Sequence, residues 1–200
     1  MSAKAKRNRL RATIVTAVMG AVGAVLMFLE FPIPIMPSFV KFDFSELPAL
    51  ITAFAFGPLY GVAVCLIKNA VHLFAGSTMG VGELSNFVLG AILSAVAGAV
   101  YRKKKTRVGA LIGAASGSLL MAIVSVFTNY YIVYPIYAKL FIPMEVIVSM
   151  YQDIFSGTGS LFQALLIFNL PFNFAKGLIC AAICFLIYKP LTPIIKGAAK

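Results

Sequence analysis

Few residues in this chain of 200 could do chemistry, and they are unevenly placed. Lys68 and His72 stand at i and i+4, with Asn69 beside them. Asn169, Asn173 and Lys176 fall at i, i+4 and i+7. Both spacings put side chains on one face of an α-helix. Asn129 is a further isolated amide in an apolar run. Amides and an ammonium group in this pattern suit a neutral ligand rich in carbonyls and ring nitrogens. A single Asn can equally tie two helices together, and a lone His is most often such a contact. A Lys with two Asn on one face favours a ligand site.

Other chemistries lack their residues. There is no Ser-His-Asp set, no His-Glu metal motif and no pair of carboxylates within an apolar run. The glycine loop at 76–82 lacks the Gly-Lys-Ser/Thr ending of a phosphate loop, so ATP hydrolysis by that route is excluded. Cys65, Cys180 and Cys184 lie in apolar runs without a His or carboxylate at ligand spacing, and read as small buried hydrophobes rather than a metal or redox pair. The expectation is a chain that is not an enzyme and has no metal and no cofactor.

Composition says what must surround these residues. The chain is 61% hydrophobic and only 12% charged, with a mean hydropathy of +0.97. Soluble domains are about half apolar and a quarter charged. A soluble enzyme, a secreted disulfide domain and a disordered chain are all excluded. The net charge of +11 comes from 17 basic and 6 acidic residues. No basic segment interleaved with aromatics exists, so nucleic acid is not a partner. Basic residues instead mark cytoplasmic segments of a membrane protein.

Charge-free windows predict helices over about 10–29, from Ser45 to Gly57-Pro58, and over about 59–75, 83–101, 108–135 and 160–188. Ser45 is the predicted N-cap of the second, and Lys189-Pro190 the predicted end of the sixth. The first window is too long for the core of a cleavable signal and reads as a retained helix. Residues 136–158 read as an outer loop with an interfacial helix. The expected architecture is an all-α integral membrane protein. It forms one domain over 1–200, with six transmembrane helices, an apolar Pro-rich loop after the first, and short tails at 1–9 and 190–200. Three basic groups then share the cytoplasmic side: Lys4 to Arg11, Arg102 to Arg107, and Lys189, Lys196 and Lys200. All six acids map to outer loops or outer helix ends. Without a mid-membrane carboxylate, a proton-coupled carrier is disfavoured.

Small residues recur on three helices. Ala17, Gly20, Ala21 and Ala24 share one face of the first. Gly90, Ser94 and Gly98, and Gly109, Gly113 and Gly117, recur every four residues. Such stripes allow close backbone approach. The last two read as internal packing; the first packs internally or meets another protein.

Several segments together resemble one family. They are Leu29-Glu30-Phe31-Pro32-Ile33-Pro34, the run Ser38 to Leu50, Gly57-Pro58-x-x-Gly61, Lys68-Asn69-x-x-His72, and Gly82-Glu83-x-x-Asn86-Phe87-x-x-Gly90. The pattern is similar to that of the substrate-binding S components of energy-coupling factor vitamin transporters. Asn129 followed by an aromatic pair, and Asn173-x-x-Lys176, make the riboflavin-specific members the nearest resemblance. The resemblance implies high-affinity capture of riboflavin from outside a bacterial cell membrane, multi-pass insertion with both termini cytoplasmic, and surrounding membrane lipid. It implies partnership with a transmembrane coupling (T) subunit and two ATPase subunits. It implies ligand contacts from Asn129, Asn173, Lys176, Met36, Pro37 and the backbone near Gly90. Lys41 and Asp43 match the loop pattern, as a lid or an ion pair that fixes it. Ala17 and Ala21 match the face that meets the coupling subunit, with Gly20 and Ala24 alongside. Alternatives are an S component for a pyrimidine precursor or pantothenate, or a non-transport membrane protein using Lys68 and His72.

Overall fold

The computed structural model describes residues 2–76 and 78–196; the side chains of 189, 190 and 192–196 lie outside that description. Ser77 and Lys200, and the side chains of Lys189 and Lys196, therefore lie outside the described residues. Helices α1 (Ala3–Phe28), α2 (Glu46–Phe56), α3 (Pro58–His72) and α4 (Val81–Lys103) come first. Then follow α5 (Arg107–Thr128), α6 (Tyr134–Leu140), α7 (Met144–Ile154), α8 (Leu161–Ala164) and α9 (Leu170–Lys196). A π-helical turn at Asn129–Val133 joins α5 to α6, and another at Leu165–Asn169 joins α8 to α9. Among the described residues, four stretches are long and apolar enough to cross a membrane: Ala3–Phe28, Val81–Lys103, Arg107–Leu140 and Leu161–Tyr188.

Between α1 and α2 runs loop 1, residues 29–45. Its two short strands, β1 (Phe31–Pro32) and β2 (Lys41–Phe42), pair antiparallel with Phe31 opposite Phe42. Gly57 alone separates α2 from α3. At φ +113° and ψ 170° it holds a backbone conformation that L side chains rarely adopt, which is why the chain can reverse there without a longer loop.

Several boundaries differ from the sequence reading. The expected tail 1–9 is helical from Ala3, because Ser2 caps the helix (Oγ accepts from the Ala5 N–H at 3.3 Å) and Lys and Arg are good helix formers. Helix continues through Pro190 to Lys196 instead of ending at Lys189. A proline removes one backbone donor and bends a helix without having to end it. Helix likewise runs on past 135 to Leu140. Each π turn ends two residues before a proline, Pro135 and Pro171. Proline lacks an N–H and crowds the carbonyl four residues back, and a π turn at that point absorbs the disturbance without breaking the helix.

Small residues set the helix spacing. A Cβ added to Gly117 would lie 2.8 Å from the Leu93 carbonyl, and one added to Gly113 would lie 2.8 Å from that of Ala97, so α5 lies directly on the α4 backbone. The stripe on α1 divides. Gly20 and Ala24 are buried, and a Cβ on Gly20 would meet Ile67 of α3 at 2.5 Å. Ala17 and Ala21 are exposed. We expect Gly117→Val to cost about 1–3 kcal/mol through overpacking, whereas Ala21→Val stays within about 0.5 kcal/mol. Thermal unfolding of the purified protein in detergent separates them, and equal melting temperatures would contradict the packing described.

Candidate functional site

Two larger apolar clusters make up most of the core among the described residues. One joins α2, α4, α5 and α9 around Leu50, Phe54, Leu93, Met121 and Cys180. The other joins Tyr134, Ile147, Tyr151 and Leu165. Asn169 at the end of the second π turn, and Asn173 and Lys176 on α9, are all buried. This is the face the i, i+4, i+7 spacing predicts.

Two lysines are carried into this interior, and both are neutralised by the end of loop 1. Lys176 Nζ donates to Asp43 Oδ2 at 2.7 Å and lies 3.9 Å from Glu46 Oε1. Lys68 Nζ donates to Glu46 Oε1 at 2.9 Å and to Ser45 Oγ at 2.5 Å. Asp43 stands in loop 1 and Glu46 at the first residue of α2, the loop and helix-end positions expected of the acids, but both are buried. Asp43 and Glu46 are each only 3% exposed, because an unpaired ammonium in an apolar interior would be far costlier than two buried pairs. Ser45 does not cap α2 through its side chain, since Lys68 occupies its Oγ. Instead Asp43 Oδ1 accepts from the Ser45 N–H at 2.7 Å. Burial by itself would raise the Asp43 carboxyl, but Lys176 and then Lys68 hold it well below the usual carboxylate range. Its stabilising contribution is fully present above a free Asp value of about 3.9, and fades as the pH falls below that.

The remaining predicted residues sort by what they touch. Asn173 Nδ2 donates to Ser125 Oγ (3.1 Å) and to the Asn169 carbonyl (2.8 Å), linking α9 to α5. Asn129 opens the first π turn. It is 7% exposed, and among the described residues its side chain has no hydrogen-bond partner. Met36 and Pro37 are buried in loop 1. Met36, Phe42 and Phe44 face Phe168, Phe172 and Ile179 across an apolar groove of about 630 Å³. Gly90 lies against α2, where a Cβ would fall 2.5 Å from Glu46 Oε2 and 3.1 Å from Cys65 Sγ. Lys41 and Asp43 do not pair with each other. Lys41 turns outward to Glu30 at 2.5 Å, on the exposed edge of the loop.

His72 is a satisfied contact. Its Nδ1 lies 2.9 Å from Glu83 Oε1, its ring stacks on Phe28 at 4.7 Å, and Thr78 bonds the other Glu83 oxygen. The three cysteines are buried free thiols, and no cluster of His, Cys, Asp or Glu among the described residues could hold a metal ion.

Sequence reasoning missed that Asp43 and Glu46 are the counter-ions of Lys176 and Lys68. The available signal was two unpaired lysines in apolar helices, a situation that demands acids from somewhere. It also missed Tyr134 and Tyr151, whose hydroxyls enclose Asn169, and the two prolines that mark the π turns.

Replacing one partner of a buried pair strands the other. Lys176→Met is expected to lower stability by about 3–5 kcal/mol. Asp43→Asn in the same chain is expected to restore a large part of the loss, because no uncompensated carboxylate is then buried. Chemical unfolding of both variants in detergent measures this, and additive losses would show that the two side chains do not interact.

Comparison with known proteins gives a consistent picture. The profile of the family described as "ECF transporter, substrate-specific component" matches residues 11–188. The chain is 29% identical to "Riboflavin transporter RibU" of Staphylococcus aureus (strain TCH60), over 92% of this chain and 91% of that protein. It is 29% identical to "Riboflavin transporter FmnP" of Bacillus subtilis (strain 168), over 94% and 95%. A solved structure described as "Structure and mechanism of the S component of a bacterial ECF transporter" superposes with a TM-score of 0.74 at 28% identity, covering 94% of this chain and 99% of that one. These relatives are transporters and transporter components, not enzymes. A match over nearly the whole length, from sequence and from structure alike, places this mostly helical membrane chain in the family of substrate-specific components of energy-coupling factor transporters.

Proposed function

We propose that the chain binds riboflavin from the outer side of a bacterial cell membrane and carries it inward as the S component of an energy-coupling factor transporter. The observation that carries this reading is the similarity to riboflavin transporters over more than 90% of the chain, combined with an interior whose polar groups suit that ligand. Riboflavin joins a flat, largely apolar ring system bearing carbonyls and ring nitrogens to a chain of hydroxyls. Asn129, buried and without a side-chain hydrogen-bond partner among the described residues, is the first anchor for it. Asn173 contributes on the neighbouring helix, and Met36 and Pro37 supply apolar cover from loop 1. Gly90 admits Glu46 to the interior and so shapes the site from behind. Lys176 serves through Asp43, by holding down the end of loop 1.

In this reading α2 and α3 join the four long apolar stretches as membrane helices, making six, with loop 1 as the apolar Pro-rich lid. The basic ends of the helices face the cytoplasm, as do both termini. Energy comes from a transmembrane coupling subunit and two ATPase subunits. The exposed Ala17 and Ala21 are the contact with the coupling subunit, now that Gly20 is taken up by α3 and Ala24 is buried.

Titration of the purified protein with riboflavin should quench flavin fluorescence stoichiometrically, while pantothenate and a pyrimidine vitamin precursor neither bind nor compete. Asn129→Ala should weaken binding about 3- to 10-fold, the worth of one neutral hydrogen bond of about 0.5–1.5 kcal/mol. Absence of quenching, or displacement by either of the other compounds, would overturn the assignment of ligand. Ala21→Trp should leave binding intact and block uptake by cells carrying the whole transporter; lost binding would place Ala21 in the interior instead.

A further inference from the structure

Loop 1 is held at a second place, by helices other than those that carry its buried ion pairs. Phe39, near its tip, sits among three tyrosines from beyond the first π turn and from α7. Its ring meets Tyr134 edge-on with centroids 5.8 Å apart, Tyr151 edge-on at 6.5 Å, and Tyr137 at 6.1 Å. The box is rigid for a polar reason. Tyr134 and Tyr151 place their hydroxyls 2.6 Å apart, the Tyr151 hydroxyl donates to Asn169 Oδ1 at 2.6 Å, and Asn169 Nδ2 donates to the Tyr134 hydroxyl at 3.0 Å. All three residues are buried, Tyr151 completely. This closed triangle uses both ends of the Asn169 amide. Asn169, although on the same face as Asn173 and Lys176, has its hydrogen-bonding groups committed to protein partners.

The triangle stands where each π turn ends. The first turn delivers Tyr134, whose N–H donates to the Asn129 carbonyl, and the second delivers Asn169. Departures from α-helical register are common where a helix must aim a functional side chain. Here they aim a receptor for one phenyl ring. Edge-to-face aromatic pairs stabilise by more than their buried area alone, and two act on Phe39 together with a third, tilted contact from Tyr137. By contrast, the Lys41–Glu30 pair on the outer edge of the loop is exposed to solvent and contributes little.

We infer that Tyr134, Tyr151 and Asn169 form a receptor for Phe39 that sets how tightly loop 1 closes over the substrate, so that these four are positioning residues for substrate retention and not ligand contacts. This rests on the reading that loop 1 is the lid of the site. Opening the lid is then a step shared by entry and exit, and loosening Phe39 accelerates both. A residue that touches the ligand slows or speeds exit while leaving entry nearly unchanged.

The test uses the full chain in detergent, as wild type and as Phe39→Ala, which removes only a half-buried ring, with Tyr151→Phe as a second variant that keeps the ring and opens the triangle. Hydrogen exchange of the ligand-free protein is expected to show amides of 33–42 exchanging about tenfold faster in Phe39→Ala, with 107–126 unchanged. Stopped-flow fluorescence with riboflavin is expected to show association and dissociation rates both rising by a similar factor, so that affinity changes less than either rate. Tyr151→Phe is expected to move both readouts in the same direction by a smaller factor. Unchanged exchange in 33–42 would overturn the receptor. Exchange that rises while only dissociation accelerates would overturn its role as a positioning device and make Phe39 a ligand contact. A wild type that fails to bind riboflavin would refute the ligand assignment alone, and the exchange measurement would still decide whether the receptor holds the loop.

Discussion

The structure depends on how two lysines are accommodated inside an apolar bundle. Lys68 and Lys176 sit on α3 and α9 where neither reaches water, with 0% and 6% of their surface exposed. An isolated ammonium in such a place is unsustainable, so carboxylates must come to it. They come from one short stretch, Asp43 to Glu46, at the junction of loop 1 with α2. That requirement ties loop 1 to two helices remote in sequence and fixes the start of α2. It turns an apolar, proline-rich connection into a defined cover. A buried pair adds little net stability over an apolar replacement, but breaking one is expensive. Its effect is to specify a single position for the loop.

Around this constraint the helices are brought close by small residues. Gly113 and Gly117 let α5 lie on α4, Gly20 lets α1 lie on α3, and Gly90 leaves room for the Glu46 carboxylate. Division of labour on α1 follows from the same geometry. Of four small residues on one stripe, two are consumed internally and two remain on the surface.

Much of this was legible in the sequence. Hydropathy and the basic clusters pointed to a membrane bundle, and the 3.6-residue period placed Asn169, Asn173 and Lys176 on one face. The first-loop motif pointed to the family. What was not legible depended on contacts across long sequence separations. Period alone cannot say that Lys176 meets Asp43, 133 residues away. Nor can it say that the Asn169 amide is engaged at both ends by two tyrosines while that of Asn129 has no hydrogen-bond partner among the described residues. Loop and helix-end positions such as those of Asp43 and Glu46 usually are solvated. Here the cost of two buried lysines outweighed that tendency. Ser45 looked like a helix cap, a role its hydroxyl gives up to Lys68. Pro135 and Pro171 carried the signal for the π turns, but hydropathy ends one helix at 135 and runs the other unbroken through 171, and neither reading marks a π turn.

In the function proposed, a flavin is held beneath loop 1, with the loop fixed by its ion pairs and the Asn129 amide meeting the ligand. An experimental structure of the purified protein with riboflavin tests this most directly. It should show the ring system enclosed between loop 1 and the α5–α9 face, within hydrogen-bonding distance of Asn129, with Lys176 still paired to Asp43. Riboflavin bound instead in a lateral groove outside loop 1, or Lys176 released from Asp43 to contact the ligand, would contradict it.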